Sequence, residues 1–216
     1  MKQIFVLAAA FVLGACCGNS GKSGTKTVCS ELPAAACPQC AERVTAKGTD
    51  SWQAVKPDEI GNAVSLFRDD WMALIVGRKG DLNAMTISWG GIGMLWNRPV
   101  VTVYVSSDRY THGFMERNDC FVVEAFAERY RDALKHLGSH SGRDGDKIAG
   151  SGLTVTYTDS GNPIFEQGTL AIECRRIYSA PFDPAHFCGD VANRFYAKGT
   201  GIHTMYIGEI VNVWRK

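Results

Sequence analysis

The chain has 216 residues, of which 45% are hydrophobic and 21% are charged, and its formal net charge at pH 7 is +1. This length and composition are typical of one globular domain with a substantial core, with or without an additional tail. The near-neutral charge argues against nucleic-acid binding and against a polybasic contact with membranes.

The first 15 residues predict a lipoprotein signal peptide. Lys2 precedes an apolar run over residues 4–13, which is too short to span a bilayer and has the length of a signal-peptide core. The sequence LGAC that ends at Cys16 resembles the bacterial lipobox, in which the cysteine is lipidated and becomes the mature N-terminus. An ordinary signal peptide or a buried first strand is the alternative. With a lipid on Cys16, the expected location is the cell envelope, where the chain is lipid-anchored, extracytoplasmic and on the periplasmic side.

Residues 16–51 predict a flexible tether, because they are rich in Gly, Ser, Ala, Thr, Lys and Pro and show no period. Cys37 and Cys40 form a CxxC pair within this tether. Such a pair is a structural disulfide, a redox dithiol or half of a zinc site. No second CxxC and no His pair at zinc-finger spacing follows, which disfavours zinc. A disulfide and a redox dithiol both remain open.

Residues 52–216 predict one folded domain, which begins with a helix start at residues 56–60. Apolar runs and alternating patterns predict strands over residues 71–76, 83–89, 100–105, 120–126, 153–157, 168–178 and 203–214. Helices are predicted over residues 109–118 and 130–137, the second ended by Gly138, and a polar loop over residues 139–152. Six or more strands with short helices, and no regular βαβ alternation, predict a mainly β fold, an antiparallel β-barrel with appended helices.

The predicted strand at residues 83–89 has two different faces. Alternation places Met85, Ile87 and Trp89 on one face, and Ala84, Thr86 and Ser88 on the other. We expect the first face in the core. The second is small and carries hydroxyl groups, so a ligand could approach the backbone closely and form hydrogen bonds there. A polar stripe that faces solvent is the alternative.

Two further stretches carry cations and hydroxyl groups of the kind that bind phosphate. Arg109, Tyr110 and Thr111 precede a predicted helix, where free backbone amides attract anions and Arg109 can bind in a bidentate manner. Thr111 is a candidate helix cap. The segment 141–147 (SGRDGDK) combines a hydroxyl, glycines and two cations. Taken alone, the first stretch is more typical of a capped helix and the second of a solvated charged loop. Together with the hydroxyl face they favour a ligand with an anionic end and a flat apolar portion, the outline of flavin mononucleotide (FMN).

The order and spacing of these stretches resemble the flavin reductase-like, flavoredoxin-type family. The similar segments are NAMTISWGG at 83–91, LWNRP at 95–99, RYT at 109–111 and SGRDGDK at 141–147, with WMALI at 71–75 and YIGEI at 206–210. The resemblance covers roughly residues 56–216. It implies an FMN-binding split β-barrel that is usually a homodimer, with the flavin near the subunit interface.

The resemblance also implies which residues bind FMN. The isoalloxazine ring and ribityl chain would lie along Asn83, Ala84, Met85, Thr86, Ile87, Ser88 and Trp89. The phosphate would bind at Arg109 and Thr111, beside Tyr110, and Ser141 and Lys147 would close the site. The protein would then be an FMN-dependent oxidoreductase held at a membrane. The alternative is a non-catalytic flavin-binding electron carrier or an FMN-sequestering lipoprotein.

Catalytic side chains and a metal site are not predicted. The flavin carries the redox chemistry in such proteins, and no Ser/His/Asp or Cys/His constellation is evident. The five histidines lie at positions 112, 136, 140, 186 and 203, without the spacing of metal ligands. Because the lipobox and the tether depart from the family, and nicotinamide cofactors are not expected outside the cytoplasm, the electron donor and acceptor stay open.

Overall fold

The structure, a computed structural model, describes residues 52–196 and 199–216. The predicted signal peptide, the lipidation site Cys16, the tether and the pair Cys37 and Cys40 lie outside the described residues. In the described ranges, no helix has the length and apolar character needed to cross a membrane.

The described residues form ten strands, five short α-helices and several helical turns, numbered by type in chain order. The strands are β1 (Gln53–Ala54), β2 (Met72–Arg78), β3 (Asp81–Ile87), β4 (Gly90–Leu95), β5 (Arg98–Ser106), β6 (Cys120–Phe126), β7 (Val155–Tyr157), β8 (Pro163–Phe165), β9 (Gly168–Pro181) and β10 (His203–Arg215). The α-helices are α1 (Ala63–Ser65), α2 (Tyr110–Arg117), α3 (Arg131–Ser139), α4 (Lys147–Ser151) and α5 (Val191–Phe195). Turns of 3-10 helix lie at Pro57–Glu59, Glu128–Tyr130 and Pro184–His186, and a π-helical turn lies at Leu66–Asp70.

Most of the strands form one antiparallel sheet in the order β3-β2-β6-β9-β10-β5-β4, with β1 paired to the end of β10. β3 and β4 are the terminal strands, yet only Ser88 and Trp89 separate them in the sequence. An extended connection of this length spans at most about 11 Å. The two edges of the sheet therefore meet at this connection, and the sheet curls into a barrel that is split between β3 and β4. The predicted mainly β barrel with appended helices is confirmed.

The sheet is covered on both faces, as its strand β2 illustrates. Met72, Leu74 and Val76 belong to the apolar cluster that fills the barrel, whereas Ala73 and Ile75 belong to a second cluster shared with α3 and β8. All five side chains are fully buried. A strand that is buried on both faces consists of consecutive apolar residues, and it is this apolar run in the sequence that predicts β2.

The glycine-rich segment after β3, which none of the predicted strands covers, also forms a strand. Gly90 to Leu95 pair with β5, and the hairpin turns at Trp96 and Asn97, whose φ values are 49° and 58°. Two consecutive positive φ values are typical of the type I′ turn that joins two strands. A Cβ on Gly90 would lie 2.3 Å from the Phe67 ring, whereas Gly91 has no atom within 4 Å of such a Cβ. The lack of a side chain at Gly90 therefore serves core packing.

Three further local predictions are wrong. Gly138 does not end its helix, because α3 continues through Ser139. The predicted polar loop contains α4, which begins where the carboxylate of Asp146 accepts hydrogen bonds from the first-turn amides of that helix. Trp89, expected in the core, keeps 49% of its surface exposed. The first error arises because glycine disfavours a helix only weakly, so tertiary contacts of α3 override it.

Candidate functional site

A cavity of about 570 Å³ lies between the end of β3, the start of α2, the end of α3 and the start of β10. This volume is in the range of pockets that bind one small ligand or cofactor. All but two of the residues predicted to bind FMN line the cavity, namely Met85, Thr86, Ile87, Ser88, Trp89, Arg109, Tyr110, Thr111, Ser141 and Lys147. The structure therefore brings together three stretches that are far apart in the sequence.

The remaining two predicted residues, Asn83 and Ala84, do not line this cavity. Asn83 is buried, and its Nδ2 donates a hydrogen bond of 2.8 Å to Oγ1 of Thr111. Asn83 thereby holds the first turn of α2 in place from outside the cavity lining. Ala84 is fully buried in the cluster shared with α3, so its side chain is out of reach of a ligand in the cavity. Thr111, the candidate cap, lies inside α2, and its hydroxyl accepts the bond from Asn83 instead of capping the helix.

β3 presents its free edge to the cavity. The strand is terminal in the sheet and pairs with β2 on its other edge alone. An edge strand has backbone N–H and C=O groups without ladder partners, and residues 85–87 of β3 line the cavity. The hydroxyl of Thr86 is engaged, because it donates a hydrogen bond to the backbone oxygen of Leu134. Backbone groups, more than the predicted hydroxyl face, are thus available to a flat ligand here.

The N-terminus of α2 also opens on the cavity. Arg109 is the N-cap residue, and no side chain caps the helix. The backbone amides of Tyr110 and Thr111 have no acceptor within the helix, and the helix dipole places partial positive charge at this end. Together with the Arg109 guanidinium, they form a site suited to an anion.

Two more cations extend this site, Arg143 from the loop after α3 and Lys147 from the start of α4. The Nη1 of Arg143 donates a hydrogen bond of 2.9 Å to the backbone oxygen of Asp108. The Nζ of Lys147 donates hydrogen bonds of 2.9 Å and 3.1 Å to the backbone oxygens of Leu137 and His140. Lys147 thereby holds the C-terminal end of α3, and one N–H of its ammonium group is left for a ligand.

We call Arg109, Arg143 and Lys147 the cationic cluster. Burial, reinforced by the charge of Arg109, lowers the pKa of Lys147 to about 8. Within residues 52–196 and 199–216, none of the three forms a salt bridge. Asp108 is the one carboxylate among the described lining residues, and hydrogen bonding by Ser106 lowers its pKa. Positive charge is therefore in excess, which favours an anionic ligand.

A third part of the lining is aromatic and consists largely of residues outside the predicted set. Tyr104, Phe195 and His203 line the cavity together with Trp89. The ring of Trp89 lies 5.7 Å from that of Phe195 and 5.3 Å from that of His203. Phe195 is the last residue of α5, which lies between β9 and β10, and His203 is the first residue of β10. No local sequence pattern links these two residues to β3. In the described part of the chain, no group of His, Cys, Asp or Glu side chains is arranged to hold a metal ion.

The chain matches the family profile described as the flavin reductase like domain over residues 72–216. It belongs to the flavin reductase-like family. This membership supports a flavin-related oxidoreductase function. No curated protein matches the chain.

Solved structures of other flavin reductase-like proteins have the same fold. A flavoredoxin from Methanosarcina acetivorans is 22% identical, with a TM-score of 0.55 and a match over 68% of this chain and 68% of that chain. An FMN-binding domain of a flavin reductases-like enzyme from Shewanella baltica is 18% identical, with a TM-score of 0.56 and 76% of each chain covered. An FMN-binding protein from Thermus thermophilus, solved with 1-cyclohex-2-enone, is 25% identical, with a TM-score of 0.52 over 67% of this chain and 69% of that chain.

Proposed function

We propose that this protein is an FMN-binding oxidoreductase of the flavin reductase-like type, which is tethered to a membrane and exchanges electrons through non-covalently bound FMN. The main support for this proposal is the position of the cationic cluster, which surrounds the uncapped N-terminus of α2 beside the free edge of β3. Within the described ranges, the cluster has no salt-bridge partners. Membership of the family and the likeness to the FMN-binding protein of Thermus thermophilus support FMN as the ligand.

The cationic cluster fits the phosphate of FMN. Arg109 would bind two phosphate oxygens, the amides of Tyr110 and Thr111 would donate to a third, and Lys147 would contribute its remaining N–H. Each charge-assisted contact of this kind contributes about 1.5–3 kcal/mol to binding. Ser141 lies in the same lining and can add a hydroxyl donor.

The free edge of β3 fits the polar rim of the isoalloxazine ring. That rim carries alternating hydrogen-bond donors and acceptors, which match the backbone groups of an edge strand. Met85 and Ile87 line the cavity with apolar surface, and Trp89 borders it at the split of the barrel. When bound, the flavin accepts and donates electrons or a hydride, and the protein binds and orients it.

The proposal includes a homodimer and a membrane anchor on Cys16. The hairpin of β4 and β5 supports an interface between copies, because Met94 and Trp96 are 70% and 64% exposed at its tip. Exposed apolar patches on a soluble domain mark interaction sites. The lipobox sequence that ends at Cys16 supports the anchor.

The absorbance spectrum of the purified full chain tests this function, followed by reduction with NADH, NADPH and a dithiol. The proposal expects bound FMN, or uptake of added FMN with one flavin per chain, and reduction by at least one donor class. Bound FMN without turnover by any donor would favour the non-catalytic carrier. A protein that cannot take up FMN would refute both.

A further inference from the structure

β4 is the second terminal strand of the sheet, and its outer edge is free. It pairs with β5 alone, and within residues 52–196 and 199–216 its backbone forms no hydrogen bond outside that pairing. None of the residues of β4 is buried, and its sequence, GGIGML, contains no charged residue and no proline, which are the usual protection of an exposed edge. β4 therefore offers an edge to which a further strand can add.

The chain enters the sheet at β1, and the direction of β1 decides at which end the preceding chain leaves the sheet. Gln53 pairs with Arg215 in antiparallel orientation. Because β9 occupies the other edge of β10 at Arg215, β1 lies on the edge that β5 occupies further along β10. β10 begins at His203 in the cavity lining, so β1 runs toward the cavity and the chain before it leaves at the opposite end. To approach the cavity, that chain has to turn back.

The sequence before β1 contains a stretch typical of a turn and, before that, a stretch typical of a strand. Residues 48–51 (GTDS) include Gly, Asp and Ser, which favour turns. Residues 39–47 (QCAERVTAK) contain no glycine and no proline, and Val44 and Thr45 among them are β-branched. Pro38 cannot donate a hydrogen bond to a neighbouring strand, so it marks the limit of this stretch. The sequence thus allows one further edge strand over residues 39–47.

The distance from β1 to the cavity follows from the pairing of the strands. Gly90, at the start of β4, is level with Tyr206 of β10, because both pair with Val103 of β5. Tyr206 lies nine residues before Arg215 on β10, which corresponds to about 30 Å of strand. Trp89, the residue before Gly90, lines the cavity and is half exposed. A chain that returns from β1 to the cavity therefore has to cover about 30 Å.

Residues 39–47 cover this distance when they are extended. Nine residues of strand span about 30 Å, so a run that starts level with Arg215 after the turn ends level with Gly90. Cys37 and Cys40 then lie beside Trp89, at the mouth of the cavity. A helix of the same nine residues would span only about 14 Å, which would leave the two cysteines far from the cavity.

We propose that residues 39–47 add to the free edge of β4 as a further strand, which holds Cys37 and Cys40 at the mouth of the cavity. A segment of the same chain has an effective concentration at this edge of about a millimolar, which favours it over a second copy of β4. Cys37 and Cys40 are then the immediate electron donor, a role that rests on the proposed function. As they close to a disulfide, the two thiols lose two electrons and two protons, which the flavin takes up.

Amide hydrogen exchange of the flavin-free full chain, resolved at single residues by NMR, tests the added strand. The strand-breaking variant carries Val44→Pro and Thr45→Pro, which removes an N–H donor in either register because adjacent residues point to opposite edges. The variant with Thr27→Pro and Val28→Pro is the matched control, since it loses the same residue types on the other side of Cys37. The amides of β6, which pairs on both edges, report whether each variant keeps the barrel.

The proposal expects the β4 amides that point away from β5 to exchange at least about tenfold faster in the strand-breaking variant than in the parent chain and the control. Equal exchange of these amides in the parent chain and the strand-breaking variant would overturn it. If they are instead protected in both proteins, and more strongly at higher protein concentration, the edge binds a second copy, and the proposal is equally refuted.

Reduction of bound FMN by dithiothreitol, followed by flavin absorbance, tests the position of the thiols. The strand-breaking variant keeps Cys37 and Cys40, yet its flavin should be reduced at least about tenfold more slowly than in the parent chain and the control. Equal reduction rates would overturn the placement of the thiols at the cavity, even where exchange at β4 differs. A parent chain that takes up no FMN would refute the proposed function, while the exchange rates of the flavin-free proteins would still decide the added strand.

Discussion

Replacing Lys147 with methionine is expected to weaken FMN binding and to abolish its pH dependence above about pH 8. The perturbation removes one charge of the cationic cluster and keeps an unbranched side chain of similar length. Its Nζ lies 2.9 Å and 3.1 Å from two backbone oxygens of the α3 end, so the ammonium group is held in place before any ligand binds. A prepositioned donor loses little entropy when it binds phosphate.

The magnitude follows from one charge-assisted contact. A loss of about 1.5–3 kcal/mol corresponds to a roughly 10- to 150-fold weaker Kd for FMN. Burial and Arg109 lower the pKa of Lys147 to about 8, and a phosphate beside it raises that pKa again. Affinity is therefore complete below pH 8 and falls as the pH rises through 8, by at most about tenfold per pH unit.

Over this pH range, Lys147 is the member of the cationic cluster whose charge changes. Arg109 and Arg143 stay protonated because guanidinium groups do not lose their proton in proteins. Asp108 stays ionised, since its pKa is lowered. The phosphate is fully ionised above its second pKa of about 6. A decline between pH 8 and 9.5 that is lost in Lys147→Met would thus be assigned to this lysine.

The assay is a titration of FMN fluorescence from pH 7 to 9.5 at constant ionic strength. Lys135→Met is the matched control, because Lys135 is an exposed lysine of α3 that pairs with Asp132 and does not line the cavity. Arg109→Ala is a second variant, which weakens FMN binding without removing the donor to α3. A parent chain whose FMN affinity stays constant over this range, or a Lys147→Met variant with parental affinity, would refute the reasoning.

Three other predictions concern the fold and the tether. Burial raises the pKa of Glu124 well above its usual range, so folding favours the protonated carboxyl group and stability falls as the pH rises above the pKa of the unfolded chain. Glu124→Gln should flatten this decline in urea unfolding measured from about pH 4.5 upward, and an unchanged slope would refute it. Asn83→Ala should cost about 1–3 kcal/mol of unfolding free energy, because it leaves the buried Thr111 hydroxyl unpaired, and a loss below about 0.5 kcal/mol in the same assay would count against it. If Cys37 and Cys40 pass electrons to the flavin, replacing both with serine should abolish reduction by dithiols and leave FMN bound, whereas unchanged reduction, followed by flavin absorbance, would reject that role.

Much of the barrel could be predicted because its strands carry local patterns. β6 has the predicted bounds, since a buried apolar run is flanked by polar residues at 118–119 and at 128–129. β4 could not be predicted, because its glycines lack strand propensity and its pairing with β5 depends on a turn with positive φ at Trp96 and Asn97. Only the folded sheet shows that the absent side chain of Gly90 makes room for Phe67.

The candidate site likewise has features that the sequence predicts and features that only the folded structure shows. The cations and the helix start are local features, so Arg109, Tyr110 and Lys147 could be predicted, and the structure places all three at one cavity. The hydrogen bonds of Lys147 could not be predicted, because their acceptors are backbone oxygens, which carry no sequence signal. Phe195 and His203 come together with Trp89 through contacts between distant segments, and the alternation of residues within a strand carries no information on such contacts.

The comparison of FMN with riboflavin tests the central claim most directly, because the two ligands share the isoalloxazine ring and ribityl chain and differ by the phosphate. Equilibrium titration of the flavin-free full chain should show FMN bound at least about tenfold more tightly than riboflavin, since a charge-assisted phosphate contact contributes about 1.5 kcal/mol or more. The difference should shrink in Arg109→Ala and in Lys147→Met. Equal affinity for the two flavins, or no binding of either, would contradict an FMN site at the cationic cluster.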